Sequence, residues 1–353
     1  MDKFDYDIYS LSSYDYYLPE ELIAQSPSEK RDESKLLTMN RMTGEIKDEE
    51  KFHNIINYLK KGDVLVRNNT KVIPARLFGI KKETNGHCEV LLLSQVKDEK
   101  DTWLALVGNA KIVKVGTIIS FGNNDEILAT CVEVLDEGIR KFKLSYEGIF
   151  LEVLDKLGKM PLPPYIHNQL YDNSRYQTVY AQIEGSAAAP TAGFHFTDEL
   201  FDELKKKGVT IVDVTLHIGL GTFRPVKSDD IRNHTMHSEY CYMSKESADI
   251  LNKAKAEKRR IIAIGTTSLR TLESVYKKYN HFEECSINTN LFIYPGYKYE
   301  AIDALITNFH LPKSTLIMLV CAFSTRDNVL KAYNHAVENK YRFFSFGDSM
   351  FLY

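Results

Sequence analysis

Residues able to do chemistry cluster in a few short stretches of this 353-residue chain. In GSAAAPTAGFHFT, residues 185–197, nine small or helix-breaking residues precede His195, which stands between Phe194 and Phe196. Such a run is either a tight packing turn or a loop, with Gly193 in it, whose backbone amides approach a ligand. A flanked imidazole suits proton transfer, because partial burial keeps it neutral and able to accept a proton. In IIAIGTTSLRTLES, residues 261–274, a strand runs through a glycine turn into three hydroxyl residues and a helix. Thr266, Thr267 and Ser268 can cap that helix or, with its free N–H groups, hold a carboxylate or phosphate.

Three further stretches carry weaker signals. HIGLGTFRP, His217 to Pro225, offers a G-x-G turn, but Arg224 occupies the place of the third glycine of a dinucleotide fingerprint, which disfavours a nicotinamide enzyme. Thr222 and Arg224 can still orient an anionic group, or Arg224 can serve a surface ion pair. NHTMHSEYC, residues 233–241, sets His234, His237, Glu239 and Cys241 close together. These are zinc-ligand types, but the i, i+3 histidine spacing needs a helix and the surrounding residues favour strand or loop, so hydrogen-bonding or acid–base work is preferred and no metal is predicted. ITNFHLPKSTLIMLVCAF, residues 306–323, gathers Asn308, His310, Lys313 and Ser314 ahead of an apolar helix, either as a pocket floor or as a polar loop that starts the helix.

The elements that must position these residues alternate between strand and helix. TDELFDELKKKG reads as a helix capped by Thr197, VTIVDVTLHIG as a buried strand, SKESADILNKAKAEK as a helix, and IIAIG as a strand feeding a further helix. This predicts an α/β sheet covered by helices, a three-layer α/β/α arrangement, to which PEELIAQSP and FHNIINYLKKGDVLV near the N-terminus also belong. Residues 73–150 differ: six short β-prone runs separated by ETNG, GNND and DEG turns predict a small antiparallel barrel or sandwich. The predicted division is therefore an α/β domain of 1–72 and 151–353 with a β-barrel domain, 73–150, inserted. GKMPLPPYI, residues 158–166, holds three prolines in four positions and predicts a stiff connection with a cleft beside it.

Composition narrows the classes. The chain is 44% hydrophobic and 26% charged, an ordinary globular balance. The longest apolar run, LIMLVCAF, is far short of a membrane span, and MDKFDYDIYS lacks the features of a secretory signal, so a cytoplasmic protein without a membrane partner is expected. Five widely spaced cysteines without a C-x-x-C pair predict free thiols. A formal net charge of -3 supplies no nucleic-acid signature, and KKK at 205–207, KRR at 258–260 and Lys277/Lys278 read as solvated helix ends.

In their order along the chain, LPEELIAQ, VIPARLFG, MPLPPYI, RYQTVYAQIEGSAAAPTAGFHFT, TLHIGLGTF, GTTSLRTLES, ITNFHLPKSTLIMLV and YRFFSFGDSM resemble the S-adenosylmethionine:tRNA ribosyltransferase-isomerase family of queuosine biosynthesis, across essentially the whole chain. The resemblance implies an α/β domain carrying an inserted β-barrel. It implies transfer and isomerisation of the ribosyl part of S-adenosylmethionine onto 7-aminomethyl-7-deazaguanine at the wobble position of tRNA, giving epoxyqueuosine with release of adenine and methionine. S-adenosylmethionine is then a cosubstrate and no cofactor is bound. A monomer is expected. The chain departs from the family pattern at Asn69, where aspartate is usual, at Lys35 for arginine, at Ala187 for valine and at Phe194 for leucine. Position 69 therefore receives no general-base role.

That reaction needs a base beside the sulfonium and an acid for the departing adenine. His195 is the first expectation, with His310 and His217 next; Thr266, Thr267 and Ser268 are expected on the methionine carboxylate, and Phe194 or Phe196 against the sulfonium or adenine. Gly193, Thr222, Arg224 and Asn308 complete the expected binding set. A methyltransferase using the same cosubstrate and a non-catalytic tRNA-binding module are the competing readings. Because an unpaired anticodon base is read by stacking and pockets, a near-neutral chain can bind tRNA through local contacts. Its affinity for tRNA, measured by filter binding, should fall as salt is raised from 50 to 200 mM, a salt-independent affinity counting against phosphate contacts by Lys and Arg.

Overall fold

Burial is unbroken along the central strands of the α/β part, at 36–39, 261–264, 304–308 and 349–352, and alternates along the barrel strands at 76–81 and 139–146, and the two patterns set the layers. The computed structural model describes residues 4–353 apart from 97, 169, 171 and 220–225. Strands β1 (Leu36–Met39) and β2 (Ile46–Glu49) form a hairpin, followed by β3 (Val64–Asn68) and β4 (Thr70–Val72). Then come β5 (Arg76–Lys81), β6 (His87–Gln95), β7 (Thr102–Val107), β8 (Ile118–Phe121), β9 (Ile127–Val134) and β10 (Ile139–Tyr146). Next are α1 (Phe150–Leu157), β11 (Ile183–Ser186), α2 (Asp198–Lys206), β12 (Thr210–Leu216), β13 (Glu239–Met243) and α3 (Lys245–Ala256). The remainder is β14 (Ile261–Ile264), α4 (Gly265–Tyr279), β15 (Cys285–Thr289), β16 (Ala304–Asn308), α5 (Thr315–Phe323), α6 (Arg326–Glu338) and β17 (Ser349–Leu352).

Nine strands make one mixed sheet in the order β15-β13-β12-β3-β14-β16-β17-β1-β2. Its centre, β12-β3-β14-β16, is parallel, so four carboxyl ends reach the same edge. Alternate side chains go to opposite faces. Val64, Val66, Ile261, Ala263, Leu305 and Met350 meet apolar residues of α3, α4, α5 and α6 on one face. Leu65, Ile262, Ile264, Ala304, Ile306 and Phe351 meet α2 and the 3-10 turn at Phe52–Asn57 on the other. The three-layer expectation holds. The capped helix expected after Thr197 also forms: its hydroxyl accepts from the Leu200 amide at 3.1 Å.

Two N-terminal segments depart from their helical reading. PEELIAQSP makes a single 3-10 turn at Glu20–Leu22, because Ile23 immediately pairs with Phe343, and the helical part of FHNIINYL is likewise a 3-10 turn. The basic clusters end helices as expected: Lys205 and Lys206 lie in the last turn of α2, and Lys277 and Lys278 in that of α4, while Arg260 pairs with Asp63 at 2.5 Å.

The six β-prone runs close into an antiparallel barrel, β10-β7-β6-β5-β8-β9, and α1 packs beneath it through Leu154, with the Phe150 ring 5.5 Å from that of Trp103. In β10, Phe142 and Leu144 point inward, and so does Arg140 in the same register. A guanidinium is tolerated there because its donors meet carbonyls: Nε to Val113 at 2.9 Å, Nη1 to Ile139 at 2.8 Å, Nη2 to Ala110 at 2.6 Å. It staples the end of the barrel. Arg140→Leu should cost about 2–3 kcal/mol, from orphaned carbonyls and lost charge-assisted bonds, read in urea by the fluorescence of Trp103, the single tryptophan.

Candidate functional site

The parallel carboxyl edge builds the site. β14 passes directly into α4 at Gly265, whose φ of +84° makes the sharp turn available without a Cβ penalty. No side chain caps α4, and its first turn carries no acidic residue. Its free amides, with Thr266 and Thr267, face a cleft of about 570 Å³. Opposite lie Asn308, the last residue of β16, and His310 just past it, with residues 188–192 of the small-residue run; Phe344, Ser345 and Leu316 complete the walls. The hydroxyls of Thr267 and Ser268 are buried without a hydrogen-bond partner. Buried donors of that kind carry a desolvation cost unless something meets them.

The small-residue run is wall rather than flexible loop. Ser186 Oγ accepts from the Ile218 amide at 2.9 Å and donates to the Ala188 carbonyl at 2.6 Å, holding Ala188 and Ala189 buried against the cleft. Gly193 belongs to the packing alternative: an added Cβ would stand 2.0 Å from the Tyr180 hydroxyl oxygen, so its expected ligand contact gives way to a close side-chain approach.

His195 does not face the cleft. It is 3% exposed; Nδ1 meets Ser34 Oγ at 2.7 Å and Nε2 meets the Asn308 side-chain amide at 3.0 Å. Asn308 Oδ1 in turn accepts from Thr191 Oγ1 at 3.0 Å. Both ring nitrogens are engaged, so the imidazole acts on the cleft through Asn308 and Thr191, as a positioning residue. Burial, then Arg342 and Arg31, push its pKa down to about 3. The flanking rings also point away from the cleft. Phe194 stacks on Phe346 and beneath Arg31, lining a smaller cavity with Arg175, while Phe196 lies in the core, 4.9 Å from Phe52 and 4.8 Å from Phe201.

His310 is the imidazole on the cleft. Nε2 meets Thr307 Oγ1 at 2.9 Å, its carbonyl accepts from the Tyr16 hydroxyl, and its amide donates to Tyr333 Oη at 3.2 Å. Nδ1 has no partner among the described residues, and burial lowers the pKa to about 3, so the ring is neutral. His217 is half-buried, bonded through Nδ1 to Thr70 Oγ1 at 2.8 Å and stacked on Tyr240; its neighbour Ile218, rather than His217, reaches the cleft. Thr222 and Arg224 lie outside the described residues.

Ser314 caps α5 and Lys313 pairs with Asp15 at 2.8 Å, the polar-loop reading. Ser34 was not legible as a partner of His195, 161 residues away, because nothing local marks it. Asn69 also finds a structural place: Oδ1 accepts from Thr215 Oγ1 at 2.7 Å, a role an aspartate oxygen would share, while the amide avoids burying a charge.

The chain matches the family described as Queuosine biosynthesis protein over residues 11–352. The chain belongs to this family. It is 57% identical to the S-adenosylmethionine:tRNA ribosyltransferase-isomerase of Staphylococcus aureus (strain JH9) over 97% of the chain and 99% of that protein, and 56% identical to the protein of the same name in Staphylococcus haemolyticus (strain JCSC1435), with the same coverage of both chains. The crystal structure of the Thermotoga maritima S-adenosylmethionine tRNA ribosyltransferase aligns with a TM-score of 0.55 at 36% identity, covering 97% of this chain and 100% of that one. Family membership and the α/β-plus-barrel architecture expected from the motifs therefore stand.

The two depressed imidazoles have a measurable consequence. Above pH 6.5 both are neutral in folded and unfolded chains; below it only the unfolded chain takes up their protons, so stability falls progressively as pH drops from about 6.5 towards about 3. His310→Gln should flatten the dependence between pH 6 and 4.5 by about 1.4 kcal/mol per pH unit, checked by urea denaturation.

Proposed function

We propose that the chain transfers and isomerises the ribosyl moiety of S-adenosylmethionine onto 7-aminomethyl-7-deazaguanine at the wobble position of tRNA, releasing adenine and methionine and giving epoxyqueuosine. The observation that carries the reading is the uncapped start of α4, with the orphan hydroxyl of Thr267, across the cleft from a neutral His310, whereas Ser268, expected beside it, is fully buried and does not line the cleft. A carboxylate at a helix N-terminus gains from the amides and the macrodipole, so this end receives the methionine carboxylate, with Thr266 beside it.

The positive sulfonium acidifies the adjacent ribose carbon. His310 Nδ1 is the group best supported to take that proton, provided Nε2 keeps its own proton towards Thr307 Oγ1. Electrons then move so that the bond from ribose to adenine breaks, and the departing base takes up the proton that His310 accepted. Thr191 and Asn308, held by His195, fix the cleft wall against which the sugar rearranges. The apolar walls formed by Ala188, Ala189, Phe309 and Phe344 exclude water from the reactive ylide.

We further propose that residues 73–150 form a domain inserted between 1–72 and 151–353, and that the protein works as a cytoplasmic monomer. The closed barrel supports the first. Among the described residues no helix is long and apolar enough to cross a membrane.

Ribose-labelled S-adenosylmethionine should transfer its label to tRNA with free adenine appearing; methyl label on tRNA without adenine would indicate a methyltransferase instead, and binding without turnover a tRNA-binding module. His310→Ala should lower kcat by about 100-fold or more with cosubstrate affinity retained. Unchanged turnover removes His310 from the mechanism.

A further inference from the structure

A second cavity, of about 500 Å³ including its open mouth, adjoins the first, the two sharing Leu316. Its floor is Arg270, one turn along α4 from Thr266 and displaced by about 6 Å along the axis. The Arg270 side chain is 7% exposed; Nη1 donates to Glu239 Oε2, and Nε to the Leu291 carbonyl at 3.3 Å. Nη2 is buried with no hydrogen-bond partner. A buried guanidinium donor left unmet is costly, and here it borders a cavity.

The surroundings say what would meet it. Glu239 already neutralises Arg270, so a phosphate or carboxylate entering this lobe would encounter the Glu239 carboxylate as well as the guanidinium. Desolvation depresses the His234 pKa, which keeps that ring uncharged. The ligand therefore presents an uncharged acceptor. It is also flat and apolar in body, since Phe292, half-buried with its ring 5.5 Å from His234, and Leu319 form the walls. A purine ring nitrogen satisfies each requirement.

Resting on the reaction proposed above, we infer that the Arg270 lobe is the purine subsite of that cleft: one S-adenosylmethionine spans both cavities, its carboxylate at the start of α4, its ribose and sulfonium passing Leu316, and its adenine accepting from Arg270 Nη2 beside Phe292. The same helix then reads both ends of the molecule, from consecutive turns on one face. Adenine, once cleaved, is held by a neutral contact and leaves without separating an ion pair.

Calorimetry with S-adenosylmethionine, 5′-methylthioadenosine and methionine tests this assignment. Arg270→Gln should weaken S-adenosylmethionine and 5′-methylthioadenosine tenfold or more and leave methionine unaffected. Thr267→Val should weaken S-adenosylmethionine and methionine and leave 5′-methylthioadenosine unaffected. Equal losses on both fragments with Arg270→Gln, or no loss on 5′-methylthioadenosine, overturn the subsite. Because Arg270→Gln strands the Glu239 charge, the double variant Glu239→Gln/Arg270→Gln is measured alongside, and the unaltered chain is photolabelled with 8-azido-S-adenosylmethionine. Crosslinks on residues 234–239 or 291–293 support the assignment; crosslinks confined to 188–192 or 344–345 overturn it. If the unaltered chain binds none of the three compounds, the reaction itself falls, a result distinct from any fragment-selective pattern.

Discussion

The amide of Asn68 carries the junction on which the cleft depends. It is fully buried at the end of β3, donating through Nδ2 to the Leu216 carbonyl at 2.9 Å and accepting at Oδ1 from the Leu216 amide at 2.9 Å and the Thr70 amide at 3.2 Å. A side chain thus continues the β3–β12 ladder two residues past its last backbone pair, Val214 with Asn68. The Asn69 amide still donates to the Val214 carbonyl at 2.9 Å, while its carbonyl accepts from Gln182 and Ile183 as the segment leading to the small-residue wall arrives. Thr70 then turns away towards the barrel while holding His217. Sheet, wall and barrel meet within three residues, and a group with both a donor and an acceptor is needed at the first of them.

Around that junction, polarity is arranged by subtraction. The cleft contains two imidazoles in and just behind its wall, both kept neutral by burial, and hydroxyls rather than carboxylates at the helix start. A sulfonium substrate brings its own positive charge and its own carboxylate. A carboxylate wall would bind the cation tightly in its ground state, whereas neutral acceptors let the charge change that accompanies ylide formation occur against fixed dipoles. The buried guanidinium of Arg270 follows the same logic, being met by the carboxylate of Glu239.

Much of this was legible in the chain. The period-2 alternation and turn residues of 73–150 specify barrel strands locally, and the caps at Thr197 and Ser314 announce α2 and α5 because capping is decided within three residues. Thr266 and Thr267 were recognisable since they follow the carboxyl end of a buried strand, and Asn308 and His310 because they gather ahead of an apolar helix. The role of His195 was not. Its flanking phenylalanines suggested a walled imidazole on a cleft, but its two partners, Ser34 and Asn308, come from 161 residues before it and 113 after it. Whether an imidazole is presented or consumed depends on such distant partners, and no spacing rule encodes them. Arg270 escaped notice for a related reason: within TTSLRTLES it is an ordinary helical arginine until β13 brings Glu239 against it.

The position of β17 bears on how the protein is made. This strand lies inside the sheet between β16 and β1, and among the described residues β1 with β2 is hydrogen-bonded to the rest of the sheet through it. β1 and β2 therefore wait for a strand made about three hundred residues after them. The barrel, whose strands are contiguous in sequence, can close long before. Synthesis thus separates the two halves in time, and the α/β sheet and its cleft are completed only when β17 arrives.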